Sequence, residues 1–467
     1  MIRSSATLAE DTCVDADVCV IGAGAAGLAL TRELMSSPAR VCVLESGGHR
    51  PAPDPDPFYQ LRSTRLEVAA DSRVRAFGGT TTVWSGRWKR FDPIDFEARD
   101  WVPHSGWPIG HDQLAPYYAR AGRAAGVRDD PGDGAHAASL LRSDAVVPTV
   151  FHTLRESERD FGRASRAEIE RSESATVLLD AHVVGLERRG RAVARVLARG
   201  AERAAFSVRA RTVVLATGGI ENARLLLLSD LGNQHDQVGR YFMDHPKAKV
   251  GVVETYDPLD TSSWEGLSED APVYVGFRLS DGVQRAERLL NSYVFLAPAF
   301  ERDLLRRAMR RAVRPRTCRM LVVRNYMEQE PDPDNRVFLV AGETDPLGLA
   351  RAGVTWSLGE RDRQTMIAMH RILRRELQRA GVGELDSPLL RGGFEFPAFQ
   401  DASHHMGTTR MGTDPRTSVV DPDCRVHDLD NLFVAGSSVF PTSGYANPTA
   451  TIAALAVRLA DHLKARL

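Results

Sequence analysis

The most constraining feature of the chain lies near its start. Asp17 to Ile21 is an apolar run ending in Gly22-x-Gly24-x-x-Gly27, followed by an amphipathic pattern that reaches Met35. A second apolar run, Val41 to Leu44, is closed by Glu45. Read as strand, glycine turn, helix and strand, this is the mononucleotide-binding half of a doubly wound parallel sheet. Gly22 permits the tight turn, Gly24 lets backbone approach a pyrophosphate, and Gly27 lets helix and strand pack closely. The first helical turn, with Ala25 and Ala26, offers N–H groups and a positive dipole to phosphates. Glu45, 18 residues after Gly27, suits a ribose diol and repels a 2′-phosphate.

Further pieces of such a sheet lie far along the chain. Thr212 to Leu215 runs into Ala216-Thr217-Gly218-Gly219, and Asn431 to Ala435 runs into Gly436-Ser437-Ser438. The expected fold is α/β (α+β overall). A Rossmann-like dinucleotide domain is assembled from both chain ends, residues 1–240 and 396–467. An inserted substrate domain, residues 241–395, is expected on a mainly antiparallel sheet. Its alternating segments Val273 to Leu279, Ser292 to Leu296 and Arg336 to Val340 read as strands with one wet face. Arg361 to Ala380 reads as a helix with Met366, Met369, Leu373 and Leu377 on its core stripe, stopped by Gly381.

Composition narrows the function classes. The 467 residues exceed one simple core, and 60 basic against 61 acidic residues leave no global field for nucleic acid. Only Lys89, Lys247, Lys249 and Lys464 are lysines, and the arginines are scattered among acids. Eight of them lie between Arg302 and Arg319, a solvated helix face or a docking surface for an anionic partner. Five dispersed cysteines form neither a disulfide framework nor a CxxC pair, and Cys19 and Cys42 read as buried thiols. Glu10, Asp11, Asp15 and Asp17 interrupt the N-terminus before any signal-peptide core develops, so a reducing cytoplasm is expected. The longest uncharged stretch, Asn431 to Val457, contains Pro441, Gly444 and Pro448 and cannot cross a bilayer as one helix. It reads instead as the lining of a buried site.

The glycine motif does not by itself separate NAD from FAD. Its place at the start of the chain, and the lack of a second such motif, favour FAD. Gly78-Gly79-Thr80-Thr81-Thr82 supplies another loop of backbone donors for a ring system or phosphate.

These residues bring a family into view. IGAGAAGLAL (21–30), RAFGGTTTVWSG (75–86), FDPIDFEARDWVPHSGWPI (91–109), ATGGIENARLLLLS (216–229), HHMGTTRMG (404–412) and NLFVAGSSVFPTSGYANPTATIAALA (431–456) resemble the glucose-methanol-choline (GMC) flavoprotein oxidoreductases, in wording and spacing nearest the bacterial and pyranose-oxidase-like branch. The resemblance implies FAD as cofactor. It makes His404 of His-x-x-Gly407-Thr408 a catalytic residue and puts Asn447 at the second catalytic position. It implies backbone contacts to adenine from Val183, in a strand Thr176 to Val184. It also implies cofactor contacts at Gly78, Gly79, Thr80, Thr82, Val83, Ala216, Gly436, Pro448 and Thr449. Where some members carry a His that bonds the flavin, this chain has Thr82-Val83-Trp84, which implies non-covalent FAD. Gly436 replaces an Asp found in many members.

The implied chemistry oxidises a CH–OH group of a sugar, aminosugar or aminoglycoside, cyclitol or other glycosylated natural product, by hydride transfer to flavin N5. An imidazole titrates near working pH, so His404 suits the general base; Asn447 can hydrogen-bond the developing alkoxide without competing for its proton. His405 reads as a structural hydrogen bonder. Pro448 reads as the first residue of the last helix, whose positive end would face the flavin's pyrimidine edge. His245 is a weaker candidate for the substrate cavity. Glu328, Glu330, Asp332 and Asp334 offer charge that an aminosugar could use. The implied partners are the alcohol and an electron acceptor, oxygen or another; no metal is expected. Two other classes use related chemistry: a lyase with structural FAD, and a flavin monooxygenase fed by reduced nicotinamide.

Overall fold

The computed structural model describes the chain except residues 52–55, 128–140, 142, 201–202, 261–272, 299–316 and 392–398. Most of the arginine-rich stretch and the expected boundary at 395–396 fall outside the described residues.

The central sheet has eight strands. Six run parallel in the order Ile2–Ser4, Ala175–Leu179, Val41–Leu44, Thr12–Ile21, Ala205–Leu215, Leu432–Val434. The strand expected from Asp17 begins at Thr12, because its partner Ala205–Leu215 is long enough to pair from Phe206 onward. On its other edge Ala205–Leu215 is shared. Its first residues pair antiparallel with Ala192–Arg199, and Val213 to Leu215 pair with the C-terminal strand. Val18 to Ile21 are at most 3% exposed, as a strand covered on both faces requires. Cys19 and Cys42 are free thiols in that core. The helix Ala25–Leu34 packs against the C-terminal helix Thr449–Lys464.

The strand expected from Thr176 to Val184 is instead two. Ala175–Leu179 and His182–Arg189 are separated at Asp180, whose φ of 56° is left-handed and cannot continue a strand.

A second sheet of seven strands is antiparallel throughout. It contains Val273–Leu279 and Ser292–Pro298, and draws Arg87–Trp88 and Val146–Thr153 from ahead of residue 241. Arg336–Thr344 belongs to a third, three-stranded sheet with Ala350–Trp356 and Arg62–Arg65. The helix Glu360–Arg379 buries Met366, Met369, Leu373 and Leu377. Among the described residues no helix is long and apolar enough to cross a membrane.

Candidate active site

The carboxyl ends of the parallel strands open on a cavity of about 560 Å³. Its floor is two interlocked glycine turns. Gly22 has a φ of 103°, and a Cβ there would lie 2.6 Å from the Ala216 carbonyl oxygen. A Cβ on Gly79 would lie 2.9 Å from Gly24 Cα, so the two loops meet backbone to backbone, joined by the Gly78 N–H donating to Ala23 O at 2.9 Å. Gly24 caps the helix, and Ala25 and Ala26 follow it along the cavity wall.

Glu45 lines the same wall. One carboxylate oxygen accepts the Ala23 N–H at 2.9 Å and the other the Gly47 N–H at 2.7 Å. Burial pushes this carboxyl up to about 7, against the two backbone donors that act to lower it. Beyond it are Val183 and the stacked pair Phe58–His182, with ring centroids 4.6 Å apart.

Gly79, Thr80, Val83, Ala216, Gly436, Pro448 and Thr449 also border the cavity. Three expected contacts do not. Gly27 is an internal packing position, where a Cβ would lie 1.9 Å from Gly22 O. Gly78 starts the following turn, and the Thr82 hydroxyl donates back to Gly79 O at 2.8 Å. Pro448 is the N-cap of the last helix rather than its first residue, its carbonyl accepting the Ile452 N–H at 2.8 Å.

His404 and Asn447 stand on the wall of the cavity. His404 Nε2 is 3.1 Å from Asn447 Nδ2, and its Nδ1 is 2.9 Å from His245 Nδ1. Burial, then the charges of His245, His405, Lys247 and Arg87, hold the His404 imidazole well below its ordinary range, so it is neutral near pH 7. His405 also borders the cavity but packs on Phe242, with its Nε2 3.6 Å from an Asp401 carboxylate oxygen.

Residues 331–456 match the C-terminal model of GMC oxidoreductases, and residues 166–247 the N-terminal one. The chain belongs to the GMC oxidoreductase family. It is 26% identical to the fructose dehydrogenase large subunit of Gluconobacter japonicus, over 96% of this chain and 97% of that one. It is 27% identical to paromamine 6'-oxidase of Streptomyces fradiae, over 95% and 90%. The fold superposes on a formate oxidase crystal structure with a TM-score of 0.63 and 18% identity, covering 98% and 99%.

The site of this GMC oxidoreductase fits a dinucleotide on its own geometry. A Cβ at Gly22 or Gly79 would meet the backbone of Ala216 or Gly24 and force apart the loops that form the cradle. The helix start offers backbone donors to it, and Glu45 stands on its wall as an acceptor. Two expectations need correction. His245 is 1% exposed and lies behind His404, outside the cavity lining. The acidic segment supplies no charge there. Glu328 is locked to Arg99, with both side chains fully buried, and Glu330 pairs with Arg361 at 2.9 Å. Asp332 and Asp334 are likewise absent from the lining.

Sequence patterning also missed residues that the tertiary fold delivers. Arg73 pairs with Glu221 at 2.5 Å and Arg224 with Asp345 at 2.7 Å, all four on the cavity wall. Asp244, Asp401 and His405 are buried with their polar atoms within 4.8 Å of one another, a group that no spacing rule exposes. Burial and the charge of Asp401 raise the Asp244 carboxyl. Asp401 itself is held below its ordinary value: burial raises it, but the hydrogen bond and charge of His405, the Ala69 N–H and the charge of Lys247 together outweigh burial.

Proposed function

We propose that the chain is an FAD-dependent oxidoreductase that converts a CH–OH group of a sugar, aminosugar, cyclitol or glycosylated natural product to the carbonyl. The observation that carries this reading is the His404–Asn447 pair, 3.1 Å apart on the wall of a dinucleotide cavity. Gly24, Ala25 and Ala26 would hold the pyrophosphate, Glu45 a ribose diol, and Val183 the adenine. Gly79, Thr80, Val83 and Thr449 would border the rest of the cofactor. When bound, FAD supplies the two-electron acceptor for the hydrogen on the alcohol carbon.

The chain's own residues manage the proton. Neutral His404 accepts the hydroxyl proton at Nε2, while the Asn447 amide donates to the oxygen as negative charge builds on it. Both residues are half-buried, which strengthens both interactions relative to open water. The names of the relatives, a fructose dehydrogenase and a paromamine oxidase, support a sugar hydroxyl as donor. The Thr82-Val83-Trp84 segment offers no His or Cys to bond the flavin, which supports non-covalent binding.

The test is an anaerobic screen of sugars, aminosugars and glycosides for bleaching of bound flavin. Bleaching by an alcohol that disappears in His404→Ala, with the yellow colour retained, is the expected result. A flavin that stays oxidised while substrate is consumed would mean a lyase instead. Acid precipitation should release the flavin into the supernatant.

A further inference from the structure

His245 lies between Asp244 and Pro246, just ahead of the strand Lys247–Asp260. Its ring stands edge-on to that of His404, with centroids 5.0 Å apart and planes at 82°. Its Nδ1 is 2.9 Å from His404 Nδ1, and its Nε2 is 3.0 Å from the Ser443 carbonyl oxygen. Ser443 belongs to the segment that ends in Asn447. One buried imidazole therefore ties together the two loops that carry His404 and Asn447. Its neighbour Asp244 fixes the first of these loops, accepting the backbone N–H of His245 at 2.5 Å, Ala402 at 3.1 Å and His404 at 3.3 Å.

The directions of these hydrogen bonds are determined from one end. A carbonyl only accepts, so Nε2 of His245 carries a hydrogen. The other nitrogen of a neutral imidazole is then an acceptor. His404 Nδ1 must therefore donate, which leaves its lone pair on Nε2, opposite the Asn447 amide N–H at 3.1 Å. Every contact in the chain Asn447–His404–His245–Ser443 then has one donor and one acceptor. The opposite tautomer of His404 would set two lone pairs against each other between the rings.

We infer that His245 is a positioning residue that fixes His404 as its Nδ1–H tautomer, placing the basic lone pair on the nitrogen beside Asn447. The inference rests on reading His404 as the base. In the step it serves, the alcohol O–H bond breaks, its proton forms the Nε2–H bond, and the electron pair stays on oxygen. A charged His245 would reverse the chain and set the His404 Nε2–H against the Asn447 amide hydrogens. Burial prevents this by lowering the His245 imidazole to about 4. The other titratable or charged groups acting on the pair are His405, Lys247 and Arg87 around His404, Glu328 near His245, and the Asp244 carboxylate under the loop.

The tautomer can be read directly. In flavin-loaded protein labelled with ¹⁵N-histidine, the signals lost in His404→Gln identify the His404 ring nitrogens. At pH 8 the expected result is a protonated Nδ1 and an unprotonated Nε2; a protonated Nε2 overturns the inference without any change at His245. Two variants form the second arm. Asn at 245 keeps an acceptor where Nδ1 stands, and Phe does not. His245→Asn should keep the tautomer and most of the anaerobic flavin-reduction rate. His245→Phe should show mixed tautomers, reduction slower by about 10²-fold, and an acid limb moved to lower pH, because the His404 imidazolium loses the acceptor of its Nδ1–H. Equal losses in both variants, with tautomer and limb unmoved, would mean that His245 only fills space. If His404→Gln still reduces its flavin, the reading of His404 as base fails, while the tautomer in the unmodified protein remains measurable.

Discussion

Asn447 Nδ2 and His404 Nε2 are 3.1 Å apart although 43 residues separate them in the chain. Neither side chain could be placed there alone. His404 is held through its backbone N–H by Asp244, and Asn447 is carried by the segment between the last parallel strand and the closing helix.

Removing this contact should slow the chemistry without emptying the site. Asn447→Ala loses one charge-assisted hydrogen bond and should lower the anaerobic flavin-reduction rate by about 10- to 100-fold. Asn447→Asp should do more, because a carboxylate draws a proton onto His404 Nε2 and moves the acid limb to higher pH. Stopped-flow absorbance, with flavin content as control, measures both.

The pH profile follows from the direction of the His404 shift. Only the neutral imidazole accepts a proton, so the reduction rate constant should rise with pH and level off. His404 lies well below its ordinary 6.5, which puts the rise on the acid side of that value and the plateau at pH 7 and above. A limb centred above 6.5 would contradict the buried, neutral assignment.

The glycine cradle predicts a graded series. Gly22→Ala sets a Cβ 2.6 Å from Ala216 O at a φ of 103°, and Gly27→Ala sets one 1.9 Å from Gly22 O. Each should cost about 1–3 kcal/mol and most of the bound flavin. Gly185→Ala, with nothing within 4 Å of its Cβ, is the control and should leave both unchanged. Denaturation midpoints and flavin per polypeptide give the comparison.

The buried Arg99–Glu328 pair predicts a stability effect away from the chemistry. Glu328 also accepts the Asn291 N–H at 2.9 Å, which locks the segment around Arg99 to the second sheet. Arg99→Met leaves a buried carboxylate unpaired and should cost about 3–5 kcal/mol. Replacing Glu328 by Leu as well should recover much of that loss, since no buried charge then remains. Urea unfolding of the single and double variants decides it.

The sequence marked the elements whose physics is local. Gly22, Gly24 and Gly27 announce a tight turn wherever they follow a buried strand, and Val18 to Leu44 read correctly as strand, helix and strand. The core stripe of Met366, Met369, Leu373 and Leu377 was legible for the same reason, a period set by the helix itself. Asp180 shows the limit. The run from Thr176 to Val184 looks continuous, yet one left-handed residue, Asp180, turns it into a corner; Asp tolerates that conformation, and the strand reading passed over it.

The charged groups mark the other limit. Glu328 and Glu330 look in sequence like a solvent-facing acidic loop available to a cationic ligand, and the fold spends both on buried or half-buried arginines. Which charge meets which depends on contacts between segments 229 residues apart for Glu328 and 31 apart for Glu330. By itself, then, the sequence determined that a dinucleotide-type glycine turn at Gly22 follows a buried strand and that an uncharged stretch runs from Asn431 to Val457. Only the tertiary structure decided that His245 stands behind His404 with Ser443 O as its fixed acceptor. Hydrogen-bond direction is a property of atoms brought together in space, and no spacing along the chain encodes it.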